Sequence, residues 1–162
     1  MADAKVAPGD PALERALRTA IKGDVSFDAF TRGLYSTDAS HYQIEPLGVV
    51  FPETTADVQA ILELARERDV PVLPRGGGTS QCGQTIGQAV ILDTSRHLRH
   101  ISDLEFMELD PDRDDSPQHI CVEPGITLDS LNHSLEATGL WFPVDPSTGS
   151  RATLGGMAGN NS

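Results

Sequence analysis

Residues 70–80 read Val70-Pro71-Val72-Leu73-Pro74-Arg75-Gly76-Gly77-Gly78-Thr79-Ser80. The first four form a short apolar run that reads as a strand. Three consecutive glycines then remove three side chains from one spot. Glycine reaches φ > 0 without steric penalty and lets the backbone come close to another molecule. Successive exposed N–H groups in such a turn form an anion-binding concavity. Arg75 adds a cation beside them, and Thr79 and Ser80 add hydroxyl donors. These parts suit a diphosphate.

Upstream of this stretch, residues 47–51 (Leu-Gly-Val-Val-Phe) read as a buried strand that Pro52 ends. Thr54 or Thr55 caps a helix to about Arg68, with Asp57 favourable in its first turn. Val58, Ile61, Leu62 and Ala65 form one face of it. Residues 47–73 therefore make a β-α-β unit, which implies parallel strands and a right-handed crossover. Residues 89–93 give another strand as the chain leaves the glycine-rich loop. Nearer the N-terminus, Leu13, Ala16, Leu17 and Ala20 have helical spacing, and Gly23 stands after them as a stop. Residues 24–40 are mixed, with Phe27, Phe30, Leu34 and Tyr35 as anchors.

Downstream, residues 104–109 and 119–122 alternate as strands on either side of a charged, exposed turn containing Asp114 and Asp115. Pro124-Gly125 is another turn. Thr127 caps a helix to about Thr138 with Leu128, Leu131 and Leu135 inward, and Gly139 stops it. Pro143, Pro146 and Gly149 interrupt the next segment, and Thr153 is placed to open a glycine-rich helix.

The chain has 162 residues, 38% apolar and 22% charged, which is the profile of one globular domain with a real core. It carries 24 acidic against 12 basic residues, a net charge of −12, which argues against general nucleic-acid binding. No apolar run approaches the ~20 residues of a membrane span. No apolar leader opens the chain, so the expected setting is cytoplasmic with reduced thiols. Cys82 and Cys121 are too far apart for a metal knuckle and too few for a four-cysteine cluster. The five histidines do not cluster at ligand spacing, and no metal is expected.

Against that acidic background two windows stand out. No Asp or Glu occurs in residues 70–92 or 146–162, and nine of the fifteen glycines lie there. The second window runs on from Asp145 through Pro146-Ser147, then Thr153-Leu154-Gly155-Gly156-Met157. Its glycines permit close approach, and a helix start at Thr153 favours an anion. The first loop lacks the Lys of a P-loop, which disfavours ATPase chemistry. It leads into a strand and not a helix, so it is no Rossmann fingerprint. A dinucleotide held by a non-Rossmann loop stays open.

Taken in order, several stretches resemble the FAD-binding domain of FAD-linked oxidases, the PCMH-type or vanillyl-alcohol oxidase-like family. Within it they resemble the glycolate oxidase subunit and D-lactate dehydrogenase branch. They are Tyr35-Ser36-Thr37-Asp38-Ala39-Ser40, Gly48-Val49-Val50-Phe51-Pro52, Pro74 to Ser80 with Gly83-Gln84, Val90 to Ser95, Val122-Glu123-Pro124-Gly125, Asp145-Pro146-Ser147, and Thr153 to Ser162. The resemblance implies an α+β fold of two α+β subdomains with FAD between them. Residues 1–34 would be an N-terminal helical extension, and 35–162 the N-terminal part of the FAD-binding domain, incomplete at its C-terminus.

The resemblance also implies a cofactor-binding set: Pro74, Arg75, Gly76, Gly77, Gly78, Thr79, Ser80, Gln84, Pro143, Asp145, Ser147, Thr153, Gly155, Gly156, Gly159 and Asn160. Some relatives attach FAD through a His in the glycine-rich loop. Thr79 and Ser80 stand there in this chain, which implies non-covalent FAD. The implied function is oxidation of a 2-hydroxy acid of D-lactate or glycolate type by hydride transfer to flavin, with electrons passing to a carrier. The substrate-binding residues of such an enzyme lie outside these 162 residues, and none here is assigned as catalytic. Two alternatives are a nucleotide-binding module without redox chemistry and a structural fragment that binds nothing.

Overall fold

The computed structural model describes residues 6–102, 105–106 and 118–162. Helix α1 (Pro11–Ala20) starts where the Asp10 carboxylate accepts the Leu13 amide and a proline fills the first position. Strand β1 (Asp24–Ser26) comes next, then helix α2 (Ala29–Tyr35), capped by Asp28. Strand β2 (Gly48–Phe51) is buried throughout, and helix α3 (Thr55–Glu67) opens on a reciprocal cap between Thr54 and Asp57. Strands β3 (Val72–Arg75) and β4 (Val90–Asp93) complete one sheet of order β1-β2-β4-β3.

In that sheet β1 is antiparallel to β2, while β2, β4 and β3 are parallel, with Val50 opposite Leu92 and Leu73 opposite Ile91. The parallel strands expected of residues 47–73 are present, but β4 lies between them. Proline explains the order: Pro71 and Pro74 have no N–H to donate, so their strand suits an edge. The fully buried Val90-Ile91-Leu92 takes the interior instead. Strand β3 also begins two residues later than the apolar run at Val70.

Side chains alternate across the sheet. Val50, Val90 and Leu92 pack with Leu13, Leu17, Val25, Phe27, Ile61 and Ala65 on one face, and Val49, Phe51 and Ile91 with Tyr35 and Leu73 on the other. Phe27 is an anchor as expected, but Phe30 and Leu34 are 76% and 57% exposed on α2. Leu62 is also half exposed. The α3 face contains buried Asp57 in addition to Ile61 and Ala65, because the Asp57 carboxylate is enclosed by main-chain amides.

The second half is a smaller unit. Strands β5 (Glu105–Phe106) and β6 (Gln118–His119) pair antiparallel, and Ile101 bridges Val122. The turn expected at 110–118, with Asp114 and Asp115, lies outside the described residues except for Gln118. Helix α4 (Leu128–Leu135), capped by Thr127, runs into a 3-10 turn (Glu136–Thr138) that Gly139 closes at φ +72°. Helix α5 (Leu154–Asn160) is capped by Thr153. Leu131 and Leu135 pack with Ile126, and Leu128 packs with Ala152 and Met157. Among the described residues no helix is long and apolar enough to cross a membrane.

Candidate functional site

The glycine loop leaves the carboxyl end of β3, the side of a parallel sheet where ligands gather. A Cβ on Gly76 would lie 2.0 Å from Thr153 Oγ1, and one on Gly77 would lie 2.1 Å from the Arg151 carbonyl oxygen. Gly78 has φ +64°. The loop can therefore fit against the second unit only without side chains at Gly76 and Gly77. The two acid-free windows, far apart in sequence, meet at this contact.

Among the described residues, the amides of Gly76, Gly77, Gly78, Thr79 and Ser80 donate to no acceptor within the protein. Five such donors in one turn are left open, and anion-binding concavities are built from runs of this kind. The end of the loop is tied back through Ser80, whose Oγ donates to Gln84 Oε1 and accepts the amides of Cys82 and Gln84. Gln84 Nε2 lies 3.5 Å from Asn160 Oδ1, which links the loop to the end of α5. Pro74 is exposed on the edge strand.

Arg75 turns inward. Its Nη1 donates to the carbonyl of Thr37 at 2.9 Å, and the carbonyls of Tyr35 and Thr85 are each at 3.4 Å. The guanidinium carbon lies 4.9 Å from the centre of the Tyr35 ring. Tyr35 in turn donates to Asp93, which is opposite Arg75 in the sheet and also accepts the Ser95 amide and hydroxyl. Burial first, and then the Asp93 bond, push the Tyr35 phenol far above its ordinary range, so it stays a donor.

The start of α5 is different. Leu154 N–H donates to Ile126, Gly155 N–H to Pro124, and Gly156 N–H to Thr153 Oγ1. The sequence suggests that this helix start would favour an anion, yet its first turn has no free donor. Gly155 is a packing glycine, since a Cβ there would lie 2.5 Å from Pro124 Cβ. Gly159 has nothing within 4 Å of its Cβ position. Pro143, Asp145 and Ser147 are at the surface of the segment before α5, and no hydrogen bond joins them to the glycine loop.

The sequence reading picks out the loop, and it names Thr153, Gln84 and Asn160 for the cofactor where the structure shows them in contacts between the two units. It misses Tyr35, Thr37 and Thr85 as Arg75 partners and Arg151 as the neighbour of Gly77. Main-chain carbonyls are supplied by every residue type, so no pattern marks them. Among the described residues no group of three or more His, Cys, Asp or Glu forms a metal site.

Sheet, loop and second unit together define an α+β domain built around a glycine turn with open amides at a junction of two units. The chain belongs to the FAD binding domain family, which it matches over residues 46–162, and FAD is its cofactor. It is 39% identical over 148 residues to D-2-hydroxyglutarate dehydrogenase of Escherichia coli (strain K12), covering 90% of this chain and 14% of that protein. It is 35% identical over 149 residues to glycolate oxidase subunit GlcD of Bacillus subtilis (strain 168), covering 88% and 29%. Its fold is similar to that of 4-ethylphenol oxidase from Gulosibacter chungangensis, with TM-score 0.72, 19% identity, and coverage of 96% and 29%. The chain spans 14–29% of the length of these proteins. Five open amides in the first acid-free stretch, packed against the second, fit the diphosphate of that cofactor.

Proposed function

We propose that this chain is the N-terminal FAD-binding region of an FAD-dependent oxidoreductase acting on a 2-hydroxy acid. The supporting observation is the set of five open amides at Gly76–Ser80, in a sequence similar to enzymes named for D-2-hydroxyglutarate and glycolate. Bound FAD supplies hydride acceptance and onward electron transfer. The chain's own part is to hold and orient it. The loop amides take the diphosphate, the Thr153–Gly76 contact sets the distance between the two units, and Gln84 and Asn160 bridge their rims. Thr79 and Ser80 put no imidazole in the loop, which supports non-covalent binding. The residues that hold a substrate carboxylate and take its protons belong to the remaining length of the enzyme.

The test uses the full-length protein, stripped of flavin and titrated with FAD, FMN, NAD and ATP. Selective FAD uptake, released again on denaturation, is expected. Anaerobic mixing with glycolate and with each enantiomer of lactate and 2-hydroxyglutarate should then bleach the flavin for at least one acid. A protein that takes up no FAD, or whose flavin no 2-hydroxy acid reduces, would overturn the proposal.

A further inference from the structure

We propose that Arg75 is a positioning residue that shapes the anion-binding turn from behind, acting through the main chain of Gly76–Gly78 and not as a partner of the diphosphate. This rests on the reading of the turn as the diphosphate site. Arg75 Nη1 addresses three carbonyls from two separate segments, at Tyr35, Thr37 and Thr85. The Tyr35 ring covers one face of the guanidinium. A Cβ on Gly78 would lie 2.6 Å from Nη2 and 3.1 Å from Cζ and Nε. The guanidinium thus fills the space that a side chain at Gly78 would need. The segment that supplies the Tyr35 and Thr37 carbonyls also reaches the turn directly, since the Gly78 carbonyl accepts the Ala39 amide at 3.2 Å. The turn is held between this cation and the Thr153–Arg151 segment, with its amides left open.

The guanidinium acts here as a plane: Nη1 meets the carbonyls, one face lies against the Tyr35 ring, and Nη2 and Nε fill the space beside Gly78, whereas a lysine ammonium is a compact point charge that can meet the carbonyls but cannot fill that plane. The two roles therefore separate experimentally. If Arg75 neutralised the diphosphate, Arg75→Lys would keep most of the affinity, and removing the charge would flatten the salt dependence of binding. A clamp predicts the opposite. Arg75→Lys and Arg75→Met should weaken FAD binding alike, by roughly tenfold or more. Both should keep the wild-type dependence of affinity on ionic strength.

The experiment measures FAD dissociation constants of the full-length apo-protein at low and high salt, with circular dichroism confirming the fold of each variant. A crystal structure of the FAD-bound wild type decides the matter even if both variants unfold. Nη1 should remain on the Thr37 carbonyl, with no guanidinium nitrogen within hydrogen-bond reach of a phosphate oxygen. Wild-type-like affinity in Arg75→Lys, a flattened salt slope in Arg75→Met, or a guanidinium on the phosphates would overturn the clamp. Wild-type protein that binds no FAD would instead overturn the functional reading itself.

Discussion

Two clusters of main-chain amides in this chain look alike and end differently. At the start of α3, the amides of Lys22, Gly23, Glu53 and Thr54 converge on the Asp57 carboxylate at 2.9–3.3 Å. At the carboxyl end of β3, the five amides of Gly76–Ser80 have no such acceptor among the described residues. In the first cluster the protein supplies its own anion. In the second, no group among the described residues accepts them and no Asp or Glu occurs in residues 70–92, so they stay available to an acceptor from outside. The start of α5 is a third case, whose donors are consumed by the carbonyls of Ile126 and Pro124 and by Thr153 Oγ1. Glycine content alone does not separate the open cluster from this closed one, but the presence or absence of an internal acceptor does.

Emptying the filled cluster should have the largest effect. Asp57→Ala removes a helix cap and leaves four amides to find water, with an expected cost of about 2–3 kcal/mol in unfolding free energy. The same bonds set the pH dependence. Burial raises the Asp57 pKa, but hydrogen bonds from the amides of Lys22, Glu53, Gly23 and Thr54 together outweigh it and hold the carboxyl below its ordinary value. A depressed folded-state pKa gives stability that is full above the unfolded value of about 3.9 and is lost as pH falls through the folded one. Denaturant melts between neutral pH and the acid limb should show a shallower acid loss in Asp57→Ala than in the wild type. Equal slopes would mean that the carboxylate is not held by these amides.

Crowding the open cluster should come next. Gly77→Ala brings a Cβ against the Arg151 carbonyl, a main-chain atom with little room to give, and should destabilise by about 1–3 kcal/mol. It should also shift the open amides and weaken FAD binding. Gly155→Ala meets Pro124 at a comparable distance and should cost similar stability, but it disturbs amides that are already satisfied. The comparison sharpens if FAD affinity falls at least about tenfold more in Gly77→Ala than in Gly155→Ala, in titrations below both melting points. Equal losses would place both glycines in the same role.

Legibility in the sequence divides along the same line. Local chemistry is legible: the cap at Thr54 or Thr55, which the structure places at Thr54, the caps at Thr127 and Thr153, the stop at Gly139, and the buried strand read at 47–51 and found at 48–51 each depend on a few adjacent residues. Strand order is harder to read, because the position of β4 between β2 and β3 depends on a donor that Pro71 and Pro74 lack. Hydrophobicity alone puts Phe30 and Leu34 in the core, yet the short helix α2 turns them to solvent. In the loop the residue types and the absence of acids are visible. The inward turn of Arg75 is not, because its partners are carbonyls of Tyr35, Thr37 and Thr85. A cation beside glycines looks the same in sequence whether it faces a ligand or props up the turn.

Filling the open cluster from within tests the comparison in the other direction. Thr79→Asp puts a carboxylate beside the free amides, as Asp57 stands beside its own. Asx-type bonding to nearby N–H groups is within its reach. The FAD-free protein should unfold no more easily than the wild type. FAD affinity should fall by about tenfold, through competition for donors and repulsion of the diphosphate. Thr79→Asn, with the same shape and no charge, should lose less. If Thr79→Asp bound FAD normally, the diphosphate would have to lie elsewhere.

The smallest effect is expected at Gly159, where added bulk meets nothing. Glycine inside a helix costs roughly 0.5–1 kcal/mol relative to alanine, and nothing lies within 4 Å of the Cβ position here. Gly159→Ala should therefore stabilise the FAD-free protein by about 0.5 kcal/mol, the lower figure because the residue sits in the last turn of α5. If the neighbouring Asn160–Gln84 link marks the edge of the cofactor groove, the same methyl narrows that groove, and FAD affinity should fall modestly while stability rises. Melting temperatures with and without FAD read both quantities from one sample set. Opposite signs assign the empty space beside Gly159 to the cofactor. A gain in both states would remove Gly159 from the site and leave the open amides of the first window as its core.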